Sequence, residues 1–286
     1  MKTLGYYNGT IGEIEDMSVP MSDRACYFGD GVYDASYSVN DVIFALDDHI
    51  DRFFNSAGLL EIKLTLTKPE LKALLQALVK KVDKKDGVIV YWQVSRGTAP
   101  RNHVFPDVPS NLWVMIREMA LRNNFAPFKV ITLEDTRFLH CNIKTLNLIP
   151  SVLANEKAKR AGCDEAIFHR SGRVTECAHS NVHIIQNGIL RTCPTDNLIL
   201  PGIAREHLAK YAFDLNIPVD MSPFTLQELF TADEVIITSS GALCVPVSHI
   251  DGKPVGGKAP HVFNNLRLAV IEEFEAATGT KLPRGI

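Results

Sequence analysis

One lysine stands in the middle of an uncharged, largely apolar segment, "LHCNIKTLNL", residues 139–148. Lysine is among the residues least often buried without a partner, so Lys144 has two readings. Its aliphatic stem lies along apolar surface while the ammonium reaches water. Alternatively the amine is partly desolvated, its neutral form is populated, and it forms a Schiff base with a carbonyl compound. Other segments hold groups that such chemistry would use. "HRSGRVTECAHSN" sets Glu176 among small and polar residues just after a hairpin. A carboxylate held there by neighbouring donors stays ionised and accepts a hydrogen bond from a protonated heterocycle; by itself it is a surface glutamate. "LILPGIARE" starts a helix at Gly202 and Ile203, where unpaired N–H groups and the helix dipole favour an anion. "EVIITSSGALC" ends a strand on Thr238, Ser239, Ser240 and Gly241, a hydroxyl and N–H rim suited to a phosphate. Arg52, in "DDHIDRF", offers a planar fork for the same anion.

These residues need elements to position them. "YYNGTIGE" and "VYDASYSVNDVIFAL" read as hairpins turning at Asn8-Gly9 and Asn40-Asp41. Ile50, Phe53, Phe54, Ala57 and Leu60 recur at helical spacing, with Asp47 or Asp48 as the expected cap. A second helix starts at Thr67 with Glu70 completing a capping box, and buries Leu71, Leu74, Leu75, Leu78 and Val82. "VIVYWQVS" and "NLWVMIRE" are strands joined by the polar loop "RGTAPRNHVFPDVPS". Beyond "ALRNNFAP" strands and helices mix, with hairpins at "HRSGRVTE" and "NVHIIQNGILRTC" and a terminal helix around "VFNNLRLAVIEEFEAA". "FGDGVYD" lacks a nucleotide-binding glycine pattern and is expected to make a tight turn that presents Tyr33. "KKVDKKDG" reads as a solvated helix end.

Composition narrows the function classes. The chain has 286 residues, 46% hydrophobic and 22% charged, enough apolar material for a core without metal or disulfide staples. A net charge of −3 with no basic block gives nucleic acid or membrane surface no electrostatic support. The six cysteines are scattered without a Cys-x-x-Cys pair, and no apolar run approaches about 18 residues. A cytoplasmic protein with reduced thiols is expected. His179 and His183, four apart, suggest a metal pair, yet no acidic or cysteine partner is spaced to complete it, so no metal is expected.

"FGDGVYD", "HIDRF", "SRGTAPRNH", "IKTLN", "VTE", "SN" and "LPGI" occur in an order and spacing that resemble the fold type IV pyridoxal-phosphate aminotransferases over essentially the whole chain. More narrowly they are similar to the branch of that family acting on D-amino acids. The resemblance implies an α+β (mixed α/β) homodimeric enzyme. Its small N-terminal domain would span 1–119, a linker 120–126, and a large C-terminal domain with a barrel-like β core 127–286, with pyridoxal 5′-phosphate bound between the domains. It implies that Lys144 carries the cofactor as a Schiff base and shuttles the proton between Cα and C4′. Glu176 would pair with the pyridine nitrogen, and Arg52, Ile203, Ala204 and Ser240 would hold the phosphate. Ser180 would lie on the cofactor's face and Leu200 against its ring. Tyr33, Arg101 and His103 would trap the α-carboxylate, the Arg-x-His loop coming from the partner subunit.

That trap points to D-amino acids, because fixing the carboxylate decides which substrate face meets the lysine. The expected reaction converts D-alanine and 2-oxoglutarate to pyruvate and D-glutamate. Within the fold the alternatives are a branched-chain L-amino acid aminotransferase, an aminodeoxychorismate lyase and an (R)-amine transaminase; outside it, a binding protein without catalysis. The chain departs from the family at Ala178 and His179, at Ala204, which leaves only backbone donors there, and at Gly241.

Overall fold

The computed structural model describes residues 1–120 and 123–282. It divides into two compact units: Met1–Leu121 with Ile143–Asn147 and Ala276–Thr280, and Arg122–Asn142 with Leu148–Glu275 and Lys281–Ile286. Residues 121 and 122 of the expected 120–126 linker lie outside the described residues.

The first unit, among the described residues, is a six-stranded antiparallel sheet with strand order β2-β1-β6-β5-β3-β4. Its strands are β1 (Leu4–Tyr7), β2 (Thr10–Gly12), β3 (Gly31–Val39), β4 (Val42–Ile43), β5 (Val88–Ser95) and β6 (Asn111–Glu118). Asn8 and Gly9 turn at φ 44° and 99°, Asn40 and Asp41 at 52° and 63°. Paired positive φ is what a two-residue turn between right-twisted strands requires. Two helices, α2 (Leu46–Leu59) and α3 (Lys68–Val79), bury Phe53, Leu71, Leu75 and Leu78 in one core with Trp92 and Ile116. The α3 capping box forms as expected. The α2 cap differs. Ala45, at φ 49°, is the N-cap without a side-chain bond, and Asp47 and Asp48 fall inside the first turn, where they complement the helix dipole. A short helix, α1 (Arg24–Phe28), capped by Asp23 and closed by left-handed Gly29, escaped the periodicity because it is barely one turn long.

Sequence boundaries placed Lys144 in the 127–286 domain, whereas Ile143–Asn147 packs in the first unit. The reason lies at an open strand edge. β4 pairs only with Ser38 and Val39 of β3. The chain fills the start of that edge: Tyr33 N–H donates to Lys144 O at 3.0 Å, Leu146 N–H to Gly31 O at 3.1 Å, and Val32 bridges Thr145. Unpaired edge groups are thereby satisfied, and the lysine acquires a fixed backbone.

The second unit, among the described residues, is a nine-stranded mixed sheet. Along the chain it comprises β7 (Phe128–Glu134), α4 (Ile149–Arg160), β8 (Glu165–Arg170), β9 (Arg173–Cys177), β10 (Asn181–Gln186), β11 (Ile189–Thr192), α5 (Ile203–Asp214), β12 (Val219–Asp220), α6 (Leu226–Thr231), β13 (Glu234–Ser239), β14 (Leu243–Ile250), β15 (Lys253–Pro254) and, up to Glu275, α7 (Pro260–Thr278). The order is β12-β11-β10-β13-β14-β7-β8-β9, with β15 on β14. Parallel β7 and β8 are joined through α4, the crossover such a pair needs. The sheet curls as a half-barrel, and its end strand β9 leads into β10 through a tight turn in which Cys177 N–H donates to Ser180 O at 2.8 Å. The curl brings Glu176, Asn181 and the start of α5 together.

Candidate active site

The expected site residues fall into two sets, one in each unit. In the first, Lys144 is gripped at its backbone, donating its N–H to Ser56 Oγ at 3.2 Å besides accepting from Tyr33. Its Nζ stands 4.3 Å over the Tyr33 ring, which stacks on Tyr91 at 5.3 Å. The side chain is half-buried, and among the described residues no carboxylate pairs with it.

Arg52 lies one helical turn before Ser56, so α2 serves both the lysine segment and the arginine. Its guanidinium is engaged: Nε donates to Asp34 Oδ2 at 3.0 Å and Nη2 to Asp34 Oδ1 at 2.8 Å. His49 Nδ1 approaches the same Oδ1 at 2.7 Å. Asp34 has no exposed surface. Burial pushes its carboxyl up, but Arg52 and His49 together outweigh burial and hold it well below the usual carboxylate range. Burial also drives His49 below the ordinary histidine value. Nothing local in the sequence singles out Asp34 and His49, the two groups that hold Arg52.

Arg101 and His103 stand on an exposed loop flanking Phe28. The Arg101 guanidinium carbon is 5.1 Å from that ring's centroid and the His103 ring 5.0 Å. Buried Arg24 lies against Phe28 at 4.8 Å and donates to Asn102 O at 2.6 Å, fastening the loop between Arg101 and His103. Arg24 is neutralised by Asp30 at 2.7 Å. Among the described residues no carboxylate pairs with Arg101 or His103.

In the second unit Glu176 is buried with donors around it. Arg137 Nη1 donates to Oε1, while Asn181 Nδ2 at 3.0 Å and Leu200 N–H at 3.2 Å donate to Oε2. Arg137 is itself held by Asp135, with Nε at 2.9 Å and Nη2 at 2.8 Å, and lies on the Phe168 ring at 4.8 Å. Burial pushes the Glu176 carboxyl up to about 7, against the pull of Arg137 and the Leu200 N–H. The folded carboxyl therefore keeps a proton that the unfolded chain releases near 4.5. Stability of the cofactor-free protein should fall as pH rises between these values. Urea unfolding at about pH 5 and about pH 8 should show that fall in the wild type and its loss in Glu176→Gln; equal slopes in the two proteins would refute it. Asp135 and Arg137 were missed, although "EDTR" sets opposite charges directly after a buried strand.

Asn181 links this carboxylate to α5. Its Nδ2 also donates to Leu200 O at 3.0 Å, and a Cβ on Gly202 would come within 2.0 Å of its Oδ1. Gly202 has an ordinary φ of −75°, so the glycine is demanded by close approach rather than by backbone conformation. It is the N-cap of α5 without a side-chain bond, followed by Ile203 and Ala204, whose N–H groups have no intrahelical acceptor. Gly202→Ala should displace Asn181 from Glu176 and weaken retention of any anion at the helix start by about tenfold or more, read as phosphate-ligand affinity at unchanged secondary structure.

Ser180, expected on a cofactor face, donates its hydroxyl to fully buried Glu165 at 2.7 Å. His179 Nδ1 reaches the same carboxylate at 2.8 Å with its side chain 56% exposed. His179 and His183 do not converge, and no group of metal-ligand side chains exists among the described residues. Ser240 follows β13, and its neighbour Ser239 Oγ accepts from Ala242 N–H at 3.1 Å. No helix among the described residues is long and apolar enough to cross a membrane.

Comparison with known proteins adds an independent line. The chain is 41% identical over 281 residues to the D-alanine aminotransferase of Listeria monocytogenes serotype 4b (strain F2365), covering 95% of this chain and 96% of that one. It is 37% identical over 265 residues to the D-alanine aminotransferase of Bacillus licheniformis, covering 91% and 92%. Among solved structures it resembles the T.th. branched-chain amino acid aminotransferase complexed with N-(5′-phosphopyridoxyl)-L-glutamate. That match has TM-score 0.84 and 27% identity over 96% of this chain and 94% of that one. The Escherichia coli branched-chain enzyme, at 22% identity and TM-score 0.86 over 98% and 96%, shares the fold. The family model described as amino-transferase class IV matches residues 31–250. The chain belongs to the class IV aminotransferases.

Proposed function

We propose that this protein is a pyridoxal 5′-phosphate-dependent transaminase that moves the amino group between D-amino acids such as D-alanine and 2-oxo acids such as 2-oxoglutarate and pyruvate. The observation that carries the reading is the pair Arg101 and His103, a guanidinium and an imidazole flanking Phe28 without a carboxylate partner among the described residues, in a chain whose relatives are D-alanine aminotransferases. The donor set suits the cofactor chemically: an amine at Lys144, a buried carboxylate at Glu176 and a helix start kept open by Gly202. When bound, the cofactor supplies an electron sink for the carbanion left by the departing Cα proton.

The chain's own residues do the rest. Lys144 Nζ would hold the cofactor through its aldehyde and, as a free amine, would take the proton from the substrate Cα and return it. Glu176 would accept a hydrogen bond from the pyridine N–H, its direction fixed by Arg137 and Asn181. The Ile203 and Ala204 N–H groups, the Ser240 hydroxyl and Arg52 would hold the phosphate, and Leu200 and Ser180 would border the ring. Arg101, His103 and Tyr33 fix the substrate α-carboxylate and so decide which enantiomer offers its Cα–H to the lysine. The second half-reaction retraces these steps with the 2-oxo acid.

A homodimer is part of the proposal. Leu139, Ile149, Val152 and Leu153 are each more than half exposed, an apolar face suited to a second copy. The free cysteines suit a reducing cytoplasm. The test is a half-reaction spectrum of protein loaded with pyridoxal 5′-phosphate. D-alanine should bleach the absorbance and L-alanine should not. Bleaching by L-leucine alone would make it a branched-chain enzyme, and pyruvate release without an amino acceptor would make it a lyase.

A further inference from the structure

Strand β10 carries a fully buried imidazole between apolar neighbours, and both ring nitrogens are bonded. His183 Nδ1 lies 2.9 Å from Thr192 Oγ1 on β11, and Nε2 lies 2.8 Å from Thr238 Oγ1 on β13. Thr192 Oγ1 also accepts from Arg205 Nε at 3.1 Å, and Arg205 Nη2 donates to Cys193 O at 2.9 Å. Arg205 is the third residue of α5. A single buried polar chain, Arg205–Thr192–His183–Thr238, thus runs from the first turn of α5 to the end of β13, two residues before Ser240. Backbone ladders already join β10 to β11 and to β13, so the strands do not need this bridge. An imidazole placed in an apolar core is tolerated only when both nitrogens are satisfied. Burial, with the Arg205 charge adding to it, pushes this imidazole down to about 3, so the ring is neutral wherever the enzyme works. A neutral ring offers one donor and one acceptor, which fixes the hydroxyl directions of Thr192 and Thr238 in opposite senses.

We propose that His183 is a positioning residue for the cofactor phosphate, setting the distance between the N–H groups at the start of α5 and the hydroxyl rim at the end of β13. This rests on the assignment of those two groups to the phosphate. Thr238 pairs with Asn181 through the strand ladder, but the side-chain hydrogen bonds of the network do not reach Lys144, Glu176 or Leu200, so its loss should be felt mainly by ligands that carry the phosphate.

Pyridoxal, which keeps the aldehyde but lacks the phosphate, separates the possibilities. Cofactor-free protein is titrated with pyridoxal 5′-phosphate and with pyridoxal, and the adduct at Lys144 is quantified by absorbance and by mass after borohydride reduction. His183→Phe should weaken pyridoxal 5′-phosphate binding about tenfold and leave pyridoxal binding within about twofold of wild type. His183→Gln, which retains a donor and an acceptor, should recover part of the loss. If His183→Phe fails to fold, Thr192→Val, which cuts the same chain away from the phosphate, should show the same selective loss. Equal weakening of both ligands, or of neither, overturns the positioning role while leaving the cofactor assignment intact. A wild-type protein that forms no Lys144 adduct with either aldehyde overturns the cofactor assignment and the inference together.

Discussion

Lys144→Ala should yield a folded protein whose transamination with D-alanine falls by about 10⁴-fold, the upper range for losing a positioned proton-transfer group. Covalent attachment is lost as well, so the decline should appear in both half-reactions rather than in KM. Folding should survive, because the segment is held through backbone atoms that alanine keeps: Lys144 O accepts from Tyr33 N–H and Lys144 N–H donates to Ser56 Oγ. The side chain is half-buried and contacts the Tyr33 ring, so the stability change should stay within about 1 kcal/mol. Lys144→Arg should be as inactive, since a guanidinium has no neutral form at working pH. Single-turnover rates beside thermal unfolding curves decide the matter. A variant that keeps more than about a tenth of wild-type turnover would remove the lysine from the chemistry.

The second large effect is on stability. Asp34→Ala should cost about 3–5 kcal/mol, because it leaves the Arg52 guanidinium buried without its carboxylate and strips His49 of its partner. The wild-type carboxyl titrates below its usual 3.8. Its contribution is therefore fully present above that value and lost as pH falls below it. The alanine variant should lack this part of the acid-induced loss, so the gap between the two proteins should narrow, without closing, at about pH 3. Urea unfolding at about pH 7 and about pH 3 measures both; a loss under about 1 kcal/mol at neutral pH would mean that the pair is replaceable. Asp34 and Glu176 make an instructive contrast. Both are buried carboxylates on an arginine, but Asp34 takes two guanidinium bonds and an imidazole, and its titration moves opposite to that of Glu176.

Legibility in the sequence followed the range of the interactions. The turns at Asn8-Gly9 and Asn40-Asp41 and the Thr67–Glu70 capping box are written within four residues, and each forms as expected. The apolar periodicity of α2 and α3 and the runs of β5 and β6 identified those elements closely. The α2 cap was misplaced because Asp47 and Asp48 have the residue type of a cap while Ala45 has the backbone. Arg52 was found by its place on an apolar helix, yet Asp34, which binds it, comes from a strand 18 residues earlier. Arg137, 39 residues before Glu176, is a surface arginine to any local pattern. The return of Ile143–Asn147 to the first unit depends on an edge left open by the shortness of β4, a property of strand pairing that no stretch of sequence displays.

The loop bearing Arg101 and His103 has a thermodynamic consequence. Arg24 holds Asn102 O, the Tyr27 hydroxyl donates to Ala99 O, Thr98 is bridged to Asp23, and Arg96 covers Phe105 at 3.6 Å. Ordering one residue's backbone costs about 1–2 kcal/mol, and here that cost is met when the polypeptide folds, not when a ligand arrives. A substrate carboxylate bound at Arg101 and His103, as proposed, would freeze little more than two side-chain tips. Differences in affinity among amino acids should then come from their side chains, with the carboxylate contributing a nearly constant share.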